Sequence, residues 1–298
     1  MRMTRRVTFS AAHTDWLDNR TPAENRAMFG QSAQREPYGH NYILDVTVSG
    51  DVDPRTGIIV NIKDIDRIVR ERVLLQVDHK MLNGPDGPLA NMPATGEMLL
   101  ALIRDSLLCS LPYAVALSAL RLEKTALDAV EWQAQDIKDS DKNKMTQKKV
   151  RQAGVTLVTR IYEFSASHRL QSDSLTDQEN RDLFGKCNYP NGHGHNYVLE
   201  VTVEGPVDPV TARVIDPAML DEIVNREVVD RYDHRHLNLD ISEFAGAIPS
   251  SEVIITKIWD LLAKHIAAPA RLSKLLLRET PRNFFEYSGE VSVGERTG

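Results

Sequence analysis

Residues 187–201 read CNYPNGHGHNYVLEV, and residues 39–46 already carry the echo GHNYILDV. The echo extends along the chain. FSAAH (9–13) returns as FSASH (164–168), VDH (77–79) as YDH (232–234), and TGE (95–97) as SSE (250–252), with every pair 155 positions apart. Between 13–54 and 168–209, 20 of 42 positions are identical. Solenoid units repeat every 20–50 residues or so, and this period is far longer, so it marks a duplicated domain.

Each copy reads as β-β-α-α-β-β. In the second, 157–168 is β-rich and a long polar loop follows. His195–Glu204 then alternates Tyr197, Leu199, Val201 and Val203 on one face, as a half-buried strand does. Asp216-Pro217 opens a helix whose Met219, Leu220, Ile223 and Val224 recur at helical spacing, and Ser250 caps a second. Lys274–Glu279 and Asn283–Tyr287 are the closing strands. The fold class expected is α+β, each domain an antiparallel four-stranded sheet with two helices on one face. The run 133–155, rich in Lys, Asp and Gln, reads as a polar linker between domains 1–132 and 156–298.

The 298 residues carry 36 Lys and Arg against 42 Asp and Glu, which excludes a general nucleic-acid footprint. No apolar run is long enough to span a bilayer, and two cysteines cannot form a disulfide framework. A cytoplasmic protein with no nucleic-acid or membrane partner is expected.

His193 and His195 stand two apart at a strand entrance, so their rings share a face, and His168 ends the preceding strand. Three imidazoles from two adjacent strands leave an open coordination position, as catalytic zinc requires. Cys187, in a Gly/Asn/Pro-rich loop beside Lys186, is either a fourth ligand or a catalytic base with a lowered pKa. Cys109 reads as core packing on an apolar helix face.

FSASHRL, CNYPNGHGHNY, DHRHLN and the terminal RET closely resemble the 6-pyruvoyl-tetrahydropterin synthases. The resemblance covers nearly all of the second copy and, more weakly, all of the first. The five-residue gap between Cys187 and His193 is similar to the pyruvoyl-forming enzymes, whereas the 6-carboxy-tetrahydropterin synthases have a shorter one. The resemblance implies the tunnelling fold, in which subunits close into multi-chain β-barrels. It further implies Zn2+ on His168, His193 and His195, a small-molecule pterin substrate, and elimination of triphosphate from 7,8-dihydroneopterin triphosphate. Cys187 would be the base, Asp233 and His234 its proton relay, Glu279 the pterin clamp and Glu252 a second pterin contact. Alternative readings are a 6-carboxy-type or side-chain-cleaving activity on the same substrate, or a pterin- or zinc-binding protein without turnover.

The first copy departs from the pattern. His13, His40, Asp78, His79 and Glu97 remain, but Tyr38 replaces His193, Ser32 replaces Cys187, and Lys124 replaces Glu279, with Glu123 beside it able to substitute if the strand shifts. The first copy is expected to be a degenerate scaffold. Since the family builds sites at subunit contacts, Asp78 and His79 are candidate contributors to a site centred on His168, His193 and His195. A homo-oligomer follows, with three double-domain chains in place of six single ones.

Overall fold

The computed structural model describes residues 1–135 and 154–289. Most of the expected linker, 136–153, lies outside the described residues, and its flanks 133–134 and 154–155 fall within strands. The chain divides into two compact units. Unit one is Met1–Val158 together with Glu204–Val214, and unit two is Thr159–Val203 together with the chain from Ile215 onward. A short segment of the second repeat therefore belongs to the first unit.

Unit one contains β1 (Arg2–Asp15), α1 (Pro22–Phe29), β2 (Gln34–Ser49), α2 (Ile62–Val69), β3 (Lys80–Met81), α3 (Gly96–Leu108), β4 (Ala116–Thr125) and β5 (Asp128–Ala134). The sheet order is β5-β4-β2-β1-β3, antiparallel except for the β1–β3 pair. Unit two repeats it with β6 (Gly154–His168), α4 (Asp177–Phe184), β7 (His193–Gly205), α5 (Pro217–Val224), β8 (Arg235–His236), α6 (Ser251–Ala263), β9 (Arg271–Thr280) and β10 (Asn283–Tyr287). Its order is β10-β9-β7-β6, with β8 parallel on β6.

The β-β-α-α-β-β order is present with two additions. The polar loop between the first two strands of each copy holds a short helix, α1 or α4. Thr21 with Glu24 and Thr176 with Glu179 form capping boxes that satisfy its first amides. Each sheet also gains a two-residue parallel strand, β3 or β8.

Alternation fixes the core face. Tyr197, Leu199, Val201 and Val203 on β7 are fully buried, as are Tyr42, Leu44, Val46 and Val48 on β2. In unit two α5 buries Leu220 and Val224, and α6 buries Ile254, Ile258 and Leu262. Each such side chain contributes roughly 1.5–3 kcal/mol on burial. Cys109 corrects the sequence reading. It caps the C-terminus of α3 and is exposed, because Leu107 takes the core position. Among the described residues no helix is long and apolar enough to cross a membrane.

After α5 the chain widens into a π-helical turn at Asn225–Val229, passes through Asp230–Tyr232, and leaves His234 at φ 56°. The same device at Arg70–Leu74 leaves His79 at φ 56°. A non-glycine residue stays in that region only where its surroundings hold it. Ser165 does so for His234, its carbonyl accepting from His234 N at 2.6 Å, and Ser10 does so for His79 at 2.6 Å.

Candidate metal centre and active site

His168 closes β6 and His193 opens its sheet neighbour β7. His193 and His195 flank the exposed Gly194 and share a face. His168 Nδ1 lies 2.7 Å from the Pro249 carbonyl, which can only accept, so Nδ1 carries the proton and Nε2 presents its lone pair. That Nε2 is 3.2 Å from His193 Nε2. His193 Nδ1 and His195 Nε2 are buried without hydrogen-bond partners. One nitrogen from each ring falls within 4.8 Å of the other two, so the three residues could hold a metal ion.

Burial lowers the pKa of His168, against the pull of the Pro249 carbonyl, and burial followed by the His195 charge lowers that of His193. The neutral imidazole is the ligating form, so the donor set fits a metal. Backbone crowding makes Gly192 necessary, because at φ 72° a Cβ would sit 2.8 Å from both the His168 carbonyl and His236 Nε2.

Glu279, near the end of β9, holds Oε1 3.8 Å from both His168 Nε2 and His195 Nε2. The buried Ser251 hydroxyl donates to that same oxygen at 2.9 Å. Glu252 is not brought to this cluster. It lies exposed on the first turn of α6.

Cys187 sits half-buried on a 3-10 turn, Gly185–Asn188, pinned through its carbonyl by Leu170 N at 2.9 Å. It is not one of the groups converging at the histidine centre. Burial first, and then the neighbouring Glu279 carboxylate, raises the pKa of the Tyr197 hydroxyl on the same strand as His193 and His195.

Asp233 Oδ1 accepts from Ser165 N at 2.7 Å, and Oδ2 meets His234 Nδ1 at 2.7 Å. The Ser165 amide, then His234, hold the Asp233 carboxyl below its ordinary range. His234 is 83% exposed at the side chain. With its Nδ1 committed, Nε2 faces outward, bordering an open cleft of about 610 Å³ lined by Ser165, His195, Asn196 and Arg235.

In unit one the dyad persists, with His79 Nδ1 2.9 Å from Asp78 Oδ1, but the metal cluster does not. Tyr38 pairs across the ladder with His13 and donates its hydroxyl to Asp15 Oδ2 at 2.7 Å, while His13 Nδ1 lies 3.5 Å from Asp15 Oδ1. Burial would raise the Asp15 carboxyl, but His13, Tyr38 and Ser32 together hold it well below the usual range. The sequence reading missed Asp15. It stands where the second copy has Leu170, and the 155-residue offset exposes the exchange. Lys124 faces the Tyr38 ring at 5.9 Å from its centre. Glu123 does not replace Glu279, because it is ion-paired to Arg121. Among the described residues, no group able to hold a metal forms in unit one.

Two repeats of this α+β unit, one with a three-histidine centre at the sheet, define a tunnelling-fold protein. A family model described as 6-pyruvoyl tetrahydropterin synthase matches residues 2–135 and again 157–290, and the chain belongs to that family. It is similar to human 6-pyruvoyl tetrahydrobiopterin synthase, 44% identical over 133 residues, which cover 45% of this chain and 91% of that protein. Similarity to the 6-carboxy-5,6,7,8-tetrahydropterin synthase of Aquifex aeolicus is lower, 27% over 160 residues, covering 45% of this chain and 98% of that protein. The solved Caenorhabditis elegans 6-pyruvoyl tetrahydropterin synthase shares 40% identity at a TM-score of 0.44, covering 46% of this chain and 96% of its own. Such coverage is what a tandem duplication produces.

Proposed function

We propose that this chain is a zinc-dependent carbon–oxygen lyase that eliminates triphosphate from 7,8-dihydroneopterin triphosphate to give 6-pyruvoyl-tetrahydropterin, working from its second unit. The observation that carries the reading is the set of three converging imidazoles with Glu279 3.8 Å from two of them. His168, His193 and His195 are the ligands, and three neutral nitrogens suit zinc. Bound zinc supplies Lewis acidity toward the oxygens of the substrate side chain.

Cys187 is the base that removes a proton from a side-chain carbon. Asp233 keeps His234 protonated at Nδ1, so Nε2 can relay a proton. Glu279 is anchored at Oε1 by Ser251, and its other oxygen accepts from the pterin ring N–H and amine. Glu252 is a second pterin contact. The first repeat, domain 1–132, serves as scaffold, and 156–298 is the catalytic domain. The assembly is a barrel-forming homo-oligomer, a trimer of double-domain chains, in the cytoplasm. Asp78 and His79, which keep the full dyad geometry beside a lost metal centre, act on a neighbouring site.

A 6-carboxy-type product is the second reading. The lower identity to that relative and the Cys187–His193 spacing favour the pyruvoyl product. Incubation with 7,8-dihydroneopterin triphosphate, with triphosphate release and product mass followed together, tests the proposal. Release without a pyruvoyl mass rejects the product, and no release rejects the lyase.

A further inference from the structure

The two repeats carry opposite charge beside their histidines. In unit two Glu279 brings a carboxylate to the imidazoles, and at the equivalent position unit one has Lys124. The Lys124 ammonium stands 5.9 Å from the centre of the Tyr38 ring, and it is paired with no carboxylate among the described residues. Glu123, beside it in sequence, is committed to Arg121.

The second carboxylate position is closed as well. Glu97, the counterpart of Glu252, is only 8% exposed. Val214 N donates to its Oε1 at 3.1 Å, and Thr95 Oγ1 donates to the Ala212 carbonyl at 2.7 Å. This covering segment belongs to unit one and carries Arg213, a second cation whose charge is felt at the Tyr38 hydroxyl. Where unit two offers two carboxylates to a heterocycle, unit one has an ammonium and a buried group already bonded to backbone.

Two imidazoles nevertheless remain. His13 on β1 and His40 on β2 have ring centres 5.4 Å apart. His13 is fully buried, and the Nε2 atoms of both rings are buried without hydrogen-bond partners. Buried polar atoms are nearly always satisfied, so orphaned nitrogens mark a ligand position. The same signal marks the metal centre of unit two, at His193 and His195. In unit one a phenol takes the place of the third imidazole and the nearby ammonium repels a cation, which leaves an anion as the fitting ligand.

The chemistry of the three groups selects the anion. Asp15 Oδ1 lies 3.5 Å from His13 Nδ1, which favours the proton on that nitrogen and leaves Nε2 an acceptor. Burial first, and then the Lys124 charge, pushes the His40 pKa down to about 4, so this ring is neutral near pH 7 and its Nε2 can carry a proton to donate. Lys124 supplies full charge and three N–H donors. A carboxylate or a sulfate can only accept. A hydrogen phosphate group has oxygens to accept and a P–OH to donate, so it alone of these answers all three groups.

We propose that unit one holds a phosphate-class anion, either hydrogen phosphate or the end group of a phosphate ester, on Lys124, His40 Nε2 and His13 Nε2. The ammonium and the His40 N–H donate to its oxygens, and its P–OH donates to His13. The site is separate from the lyase centre and does not depend on turnover there.

Calorimetric titration of the full chain at neutral pH with inorganic phosphate, inorganic triphosphate and sulfate tests this. The His193→Ala background is used, so that metal in unit two does not compete for phosphate. Phosphate should bind at one equivalent per chain. Lys124→Gln should weaken it at least about 10-fold, because a charge-assisted contact is lost, and Lys124→Arg should retain most of it. Sulfate should bind at least about 10-fold more weakly, for want of a proton to donate. Inorganic phosphate binding as well as triphosphate assigns the site to the free anion, and triphosphate binding alone assigns it to an end group. Binding of neither, binding that ignores Lys124→Gln, or sulfate matching phosphate overturns the proposal. Amide chemical shifts of the unmodified protein give the same answer should Lys124→Gln fail to fold. Phosphate-induced shifts at 38–41 and 122–125 uphold the site, and shifts confined to the second unit overturn it.

Discussion

Ser251 Oγ donates to Glu279 Oε1 at 2.9 Å, from a helix start that also places the Pro249 carbonyl against His168 Nδ1. One turn thus orients a metal-ligand candidate and the Glu279 carboxylate together. Ser251→Ala should leave the fold intact and raise KM about 10-fold with a smaller effect on kcat, since it removes one hydrogen bond to a charged group. Glu279→Gln should lower kcat/KM roughly 100-fold, because a charge-assisted pair to the heterocycle is lost. Steady-state kinetics on both variants separates positioning from direct recognition.

Asp233→Asn frees the His234 ring to adopt the wrong tautomer. The expected outcome is a fall in kcat of about 100-fold or more with KM nearly unchanged. Comparing His234→Ala with His79→Ala then shows which dyad serves the second-unit centre. Unchanged turnover in His79→Ala removes the first-repeat dyad from the chemistry.

Tyr38 stands at the first-repeat position that corresponds to His193, and the exchange can be copied. His193→Tyr in the second unit should drop bound metal from one equivalent toward zero, with the circular dichroism spectrum unchanged. Retention of a full equivalent would remove His193 from the ligand set.

Asp15 gives a pH prediction with a definite sign. Its carboxyl is held below its ordinary value in the folded chain, so the unfolded chain binds more protons as pH falls. The stabilisation is complete above the unfolded value of about 4, on the order of 2 kcal/mol, and is lost on acidification through the folded pKa. Urea midpoints of wild type and Asp15→Asn should therefore differ most near neutrality and draw together as pH falls below about 4. A gap that widens on acidification contradicts this.

Much of this molecule is legible in its sequence because the chain states it twice. The constant offset aligns the strands, helices and dyads, and strand alternation alone places His193 and His195 on one face. The short capped helices α1 and α4 are hidden because α4 buries only Asn180 and the only apolar residues α1 buries are the adjacent pair Met28 and Phe29 at its end, so no helical periodicity betrays them. Asp15 escapes because its role depends on a cross-strand partner, Tyr38, twenty-three residues away. The cover over Glu97 escapes because it comes from Val214, more than a hundred residues distant, and no local pattern encodes such a contact.

Stepwise return of zinc to the chelated protein, with triphosphate release followed at each addition, tests the central claim most directly. Activity should rise in proportion to zinc and break sharply at one equivalent per chain. A break at two equivalents, or release that ignores zinc, would contradict a single centre built by His168, His193 and His195.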